Sequence, residues 1–428
     1  MKIFRYSATV LFAVALGAAS AGCNILGLSS DDSGDDDPLL AALAAVGSST
    51  ASKSDVLTNY ANLVWYTSSD ALTAMKSFQT KVDAFVLAPT AAGLTDLQTS
   101  YTEARRIYLL IEATRFSSGP IDTSSVLSIN GGEVEGLLNA WPVDEGNIDT
   151  VFIAGSTTID ATNLLAQNGI GGDEGKVTVG WHAIEYMLWG DDGGVGANTY
   201  NQTAGQRSSS DFSACNGCTP GTNQPQSRSK FLKAATDLMV THMTQLAEQW
   251  NPDTMTNYRN GTFLVASNQD QMLTNIITGL ASFAQGEWGG ERLNGLTSGL
   301  QQEDEHSCFS DLTKEDFFYD AQGVINIFSG VYTGTSGSTT GPGIQNLVSA
   351  FQGGSTIASI NAALVAGRDQ FVSTTTWRYD SVINSSRTTE EAAILAQLQE
   401  TQKTIVGLGT SFTSFGSLLG YTITPTSP

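Results

Sequence analysis

The sequence predicts an all-α protein of two helical domains, each resembling a four-helix bundle. Three observations carry this expectation. Apolar residues recur at three- and four-residue spacing through most of the chain from Ser54 onward. Clusters of Pro, Gly and Ser interrupt these runs where helices would turn back on one another. Two-residue alternation of β-branched side chains, the mark of half-buried strands, is scarce.

At the N-terminus, Lys2 and Arg5 precede a short apolar stretch from Ala8 to Ala19. Ser20-Ala21-Gly22-Cys23 then looks like a bacterial lipobox, with serine where leucine is usual. Residues 1–23 are therefore expected to be a lipoprotein signal, with Cys23 lipidated. Asn24 replaces the aspartate associated with inner-membrane retention, which favours an outer-membrane anchor facing the periplasm or the exterior. Residues 24–53 read as an acidic, solvated tether, because Ser29 to Pro38 holds five aspartates and nothing bulky to bury.

Residues 54–205 read as the first helical domain. Val56, Tyr60, Leu63, Val64, Leu72, Met75, Val82 and Phe85 trace one helix face, which Pro89-Thr90 ends. A second helix buries Leu94, Leu97, Tyr101, Ala104, Tyr108 and Ile111; Glu112 and Arg115 prolong that face as buried or interfacial charges. Residues 206–226 read as a surface excursion with Cys215 and Cys218 in a local disulfide, since an oxidising envelope favours one. Residues 227–428 form the second domain. Its helices are marked by Leu232 to Leu246, by Met272 to Phe283, by Phe317 to Phe328 and by Ala392 to Leu419. His242 falls on such a stripe and reads as a hydrogen-bonded core residue.

Twenty basic residues stand against forty-two acidic ones, a net charge of -22. That balance excludes electrostatic binding to nucleic acid or anionic lipid, so the only membrane contact expected is the lipid anchor.

The residues able to carry chemistry are few. His182 and Glu185 lie three apart in Gly180–Gly190, so on a helix they share a face and can share one cation or one proton. Glu303 and His306 repeat the spacing in reverse order, as Glu-x-x-His pairs do in di-iron bundles. Glu112, Asp144, Glu287 and Glu291 are further carboxylates near the expected bundle faces, with Arg115 and Arg292 placed to orient them. Oxygen ligands with a few imidazoles suit iron, zinc or manganese. On residues alone, a structural salt bridge between His182 and Glu185 is an equal alternative. The HExxH and HxxEH zinc motifs are absent.

Gly180-Trp181-His182-Ala183-Ile184-Glu185 resembles the GxHxxE signature of the imelysin-like family, also called the insulin-cleaving membrane peptidase family. Glu112 to Phe116, Gly119 to Asp122, Asn139 to Glu145 and Gly286 to Arg292 agree in order, and Gln302 to Asp311 resembles the iron-regulated protein A branch. Departures include Trp181 where tyrosine is common, and Leu312 and Lys314 after Ser310-Asp311. The resemblance implies two helical domains with the HxxE near their junction, a bacterial envelope location and a link to iron. Two functional readings follow. One is a binding protein that holds iron or an iron-bearing ligand through His182 and Glu185, completed by Glu112, Asp144, Glu291, Glu303 or His306, and that serves envelope iron-uptake partners. The other is a metallopeptidase. A third reading, an interaction protein without metal, leaves the motif only to hold helices together.

Overall fold

The computed structural model describes residues 50–130, 132–191, 204–213, 225–300, 304–372 and 377–426. The signal segment with Cys23, almost all of the tether, Glu303, Cys215 and Cys218 lie outside the described residues. Eight principal helices build the fold: α1 Lys53–Leu87, α2 Ala91–Glu112, α3 Gly180–Trp189, α4 Pro225–Glu248, α5 Gln269–Ser282, α6 Thr313–Ser329, α7 Ala350–Asp369 and α8 Thr389–Leu418. The architecture is all-α. Helix starts follow local chemistry: the Ser52 and Thr90 side chains accept hydrogen bonds from the Asp55 and Gly93 amides. Thr388 and Glu391 form a reciprocal capping box at α8.

Helices α1 to α4 pack as one group; in the other, α8 lies on α5 and α7, and α7 on α6. Each group surrounds its own apolar core. Helix α1 serves both. Its 35 residues span roughly 50 Å at the α-helical rise, longer than one small core. Val56 to Val64 enter the second core, and Ala71 to Phe85 the first.

Two expected boundaries change as a result. Helix α4 was expected to open the second domain, yet Phe231 to Ala247 lie in the first core. The stripe was read correctly as helix, but linear order did not reveal which core it faces. Residues 206–213 were expected in an exposed excursion, yet Phe212 is buried against Phe85, with ring centroids 5.1 Å apart. Nearby, the Gly205 and Arg207 amides donate to the Phe309 and Trp189 carbonyls at 2.8 and 2.9 Å.

The described residues also contain a small hairpin, β1 Val331–Thr333 and β2 Ser338–Thr340, paired antiparallel. Asp70 of α1 pins it by accepting from the Tyr332 hydroxyl at 2.7 Å and the Thr335 amide at 3.0 Å. Among the described residues, no helix is long and apolar enough to cross a membrane.

Candidate functional site

Helix α3 is buried along its whole length, so both His182 and Glu185 lie in the interior. Gly180 starts it for a steric reason. Its φ is +82°, and a Cβ there would meet the Leu138 carbonyl oxygen at 2.5 Å. Only glycine combines the left-handed backbone with that approach. The motif glycine thus seats the helix against the 135–138 turn and aims His182 inward.

His182 Nδ1 lies 2.9 Å from Glu185 Oε2. The other Glu185 oxygen accepts from the Ser310 amide at 3.0 Å and the Ser310 hydroxyl at 2.5 Å. Every side of this carboxylate is engaged, and burial pushes it up to about 7. Burial and the nearby Arg105 charge hold His182 well below the usual imidazole range. With Nδ1 carrying the hydrogen toward Glu185, Nε2 presents a lone pair.

That lone pair faces Arg105, at the centre of the junction. One guanidinium nitrogen of Arg105 lies 3.3 Å from His182 Nε2, 3.3 Å from His306 Nδ1 and 2.6 Å from Asp316 Oδ2. Its Nε reaches Asp316 Oδ1 at 2.9 Å and its remaining nitrogen reaches Asn139 Oδ1 at 3.0 Å. The Arg105–Asp316 pair is a two-point fork, the strong geometry for arginine and carboxylate. It ties α2 to α6. Burial works against the Asp316 charge, but Arg105 and His306 outweigh it and keep the carboxyl far below its ordinary range. His306 Nδ1 is 2.7 Å from Asp316 Oδ2; burial, then the Arg292 charge, takes this imidazole down to about 3. The His182 and His306 rings stand edge to face at 4.8 Å.

A second ion network adjoins the first. Arg292 binds Glu112 at 2.8 Å, Glu287 at 2.9 Å and Asp320 at 2.9 Å. Arg115 reaches Glu287 at 2.8 Å. Residues 283–292 are a π-helical continuation of α5. The wider turn brings residues five apart onto one face, which is why Glu287 and Arg292 meet. In an α-helix that spacing would separate them. Burial raises Asp320 well above its usual range, whereas Arg292 and Arg115 hold Glu287 at about 2 against the effect of burial.

The structure therefore brings together His182, Glu185 and His306, with Glu112, Arg115 and Arg292 in the adjoining network. It does not bring in Asp144, an exposed helix cap whose side chain accepts from the Asn147 amide at 2.9 Å. Glu291 is exposed at the rim, because a carboxylate beside Glu287 is more stable in water than in the packed interior. Arg115 and Arg292, expected to orient the carboxylates, pair with Glu112, Glu287 and Asp320. His242 is buried in the first core, as a core residue, and its Nδ1 has no hydrogen-bond partner among the described residues. Sequence reasoning missed Arg105, Asp316 and Asp320. Arg105 was the detectable one, since it sits within the apolar stripe of Leu97, Tyr101, Ala104 and Tyr108. A cation there is either paired or functional.

The imelysin family profile matches residues 58–405. Two solved structures share the fold at low identity. One, named as an iron-regulated protein A precursor from Parabacteroides distasonis ATCC 8503, aligns with a TM-score of 0.57 at 14% identity, over 85% of this chain and 97% of that one. The other, an imelysin-like protein from Psychrobacter arcticum 273-4, aligns with a TM-score of 0.57 at 12% identity, over 88% of this chain and 99% of that one. No curated protein matches the sequence. With the family profile spanning most of the folded region and the GxHxxE residues meeting at the junction of two helical cores, the chain belongs to the imelysin family.

Proposed function

We propose that this protein is a lipid-anchored envelope member of the imelysin family that takes up iron, free or in a small iron-bearing ligand, at the junction of its two cores. The observation that supports this most is the position of Arg105. Two neutral imidazoles and a carboxylate converge on the protein's own cation, within 3.3 Å of both rings. Neutral imidazole nitrogens and carboxylate oxygens are donors that iron accepts. They are not preassembled as a three-ligand cage, because the guanidinium stands between them. Iron would therefore be cargo, held by His182, His306 and Asp316 in the place that the Arg105 guanidinium occupies. A peptidase would need a base facing a peptide and an open coordination position. Glu185, buried and engaged by three donors, favours binding over catalysis.

Iron uptake is measurable on the chelator-stripped protein. Equilibrium dialysis against Fe2+ is expected to leave about one bound iron per chain, and His182→Gln should lower the affinity at least tenfold, the usual scale for losing a ligand or its support. A native protein that retains no iron, or a His182→Gln variant that retains as much, ends the proposal. The anchor is tested separately. Labelled palmitate should enter the native chain in bacteria and be absent from Cys23→Ala; equal labelling of both would rule the anchor out.

A further inference from the structure

We propose that Glu305, Asp311 and Asp380 form a second cation site, distinct from the His182 junction, that binds a hard divalent ion such as Ca2+ or Mn2+. One carboxylate oxygen from each residue lies within 4.8 Å of the other two. No other His, Cys, Asp and Glu group among the described residues converges this closely. Glu305 and Asp380 are each 1% exposed, and Asp311 is half-buried. Arg378 pairs with Asp311. Ionised carboxylates gathered this closely repel one another, and a divalent cation relieves that repulsion. Donors that are all oxygen select calcium, magnesium or manganese over softer ions.

Two buried polar atoms, one on an acid of the cluster and one on its neighbour Tyr379, point to a ligand. Asp380 Oδ1 is sealed from solvent and has no hydrogen-bond partner among the described residues. The Tyr379 hydroxyl is likewise buried and unpartnered, and the charge acting on it most strongly is that of Glu305. Leaving such groups unmatched is costly, and a cation with its bound water would satisfy both. The Thr313 hydroxyl already donates to Glu305 Oε2 at 3.3 Å, fixing that side chain in the cluster.

The position gives the ion a task. Glu305 and Asp311 bracket the segment that carries His306 and Ser310 to Arg105 and Glu185. Asp380 comes from the separate 379–383 helix. A cation holding all three would brace the 305–311 segment from behind. This inference does not depend on iron binding at His182.

Terbium tests it, because Tb3+ replaces calcium and emits when a nearby aromatic ring is excited. Trp377 stands 5.0 Å from the Tyr379 ring, close enough to serve as the antenna. With the full chain stripped by chelator, excitation of tryptophan should give saturable Tb3+ emission near one equivalent, displaced by Ca2+. Emission should fall at least tenfold in Asp380→Asn and in Glu305→Gln, with far-UV circular dichroism confirming that each is folded, and should persist in His182→Gln. Absent emission in the native chain, or undiminished emission in both folded carboxylate variants, overturns the proposal. So would a native chain that binds no Tb3+ while Asp380→Asn melts higher, which would mean that Glu305 and Asp380 simply share a proton.

Discussion

Replacing Arg105 with methionine is expected to destabilise the protein by about 3–5 kcal/mol, the scale seen when one member of a buried ion pair is removed. The magnitude comes from what remains. Asp316 is fully buried, and without Arg105 its charge keeps, among the described residues, His306 and the Ser307 hydroxyl, the latter at 2.7 Å. His182 Nε2 and Asn139 lose their donor at the same time. The double variant Arg105→Met/Asp316→Leu should recover most of the loss, since apolar side chains of similar volume replace buried ion pairs at little cost. Urea denaturation of the native, single and double variants checks this. A single variant within about 1 kcal/mol of native would mean that the fork contributes no more than a surface salt bridge.

The junction should also respond to pH in two opposite directions. His306 has a folded value of about 3 against an unfolded value of about 6.5. Below the unfolded value, the unfolded chain holds the extra proton, so stability present above about pH 6.5 is lost as pH falls toward 3. Glu185 has the reverse sign. Its folded value of about 7 exceeds the unfolded value of about 4.3, so it contributes stability at low pH that is lost as pH rises through 7. Between about pH 5 and 6, each group changes stability by up to ~1.4 kcal/mol per pH unit. Because the two slopes oppose and nearly cancel there, His306→Gln should leave stability falling as pH rises from 5 to 6, and Glu185→Gln should leave it rising. Denaturant midpoints measured across that range decide the matter. Variants that shift the curve without changing its slope would show that neither group titrates differently on folding.

Much of the fold was legible because helix formation is local. The periodicity from Val56 to Phe85 and the Pro89-Thr90 stop correspond to α1, and the Leu94 to Ile111 stripe to α2. Partnership between helices was less legible. Phe231 to Leu246 has the same apolar spacing whichever core it enters, and only packing put α4 with α1 and α3. The site divides in the same way. His182 and Glu185 could be paired on spacing alone, because their contact is made within one turn of one helix. Arg105 and Asp316 are 211 residues apart, and no local pattern joins them.

By itself, then, the sequence determined the all-α class, the principal helix runs and the His182–Glu185 pair. These depend on side chains a few residues apart, and 3.6-residue geometry sets their relation. The tertiary structure decided what the pair faces. A guanidinium from α2 and a carboxylate from α6 meet it in the interior, and a π-helical turn swings Arg292 onto Glu287. A buried charge requires an opposite one, but the requirement does not say where along the chain that partner comes from. Only the packing of the two cores supplies the answer, and it places the protein's own cation against the motif histidine.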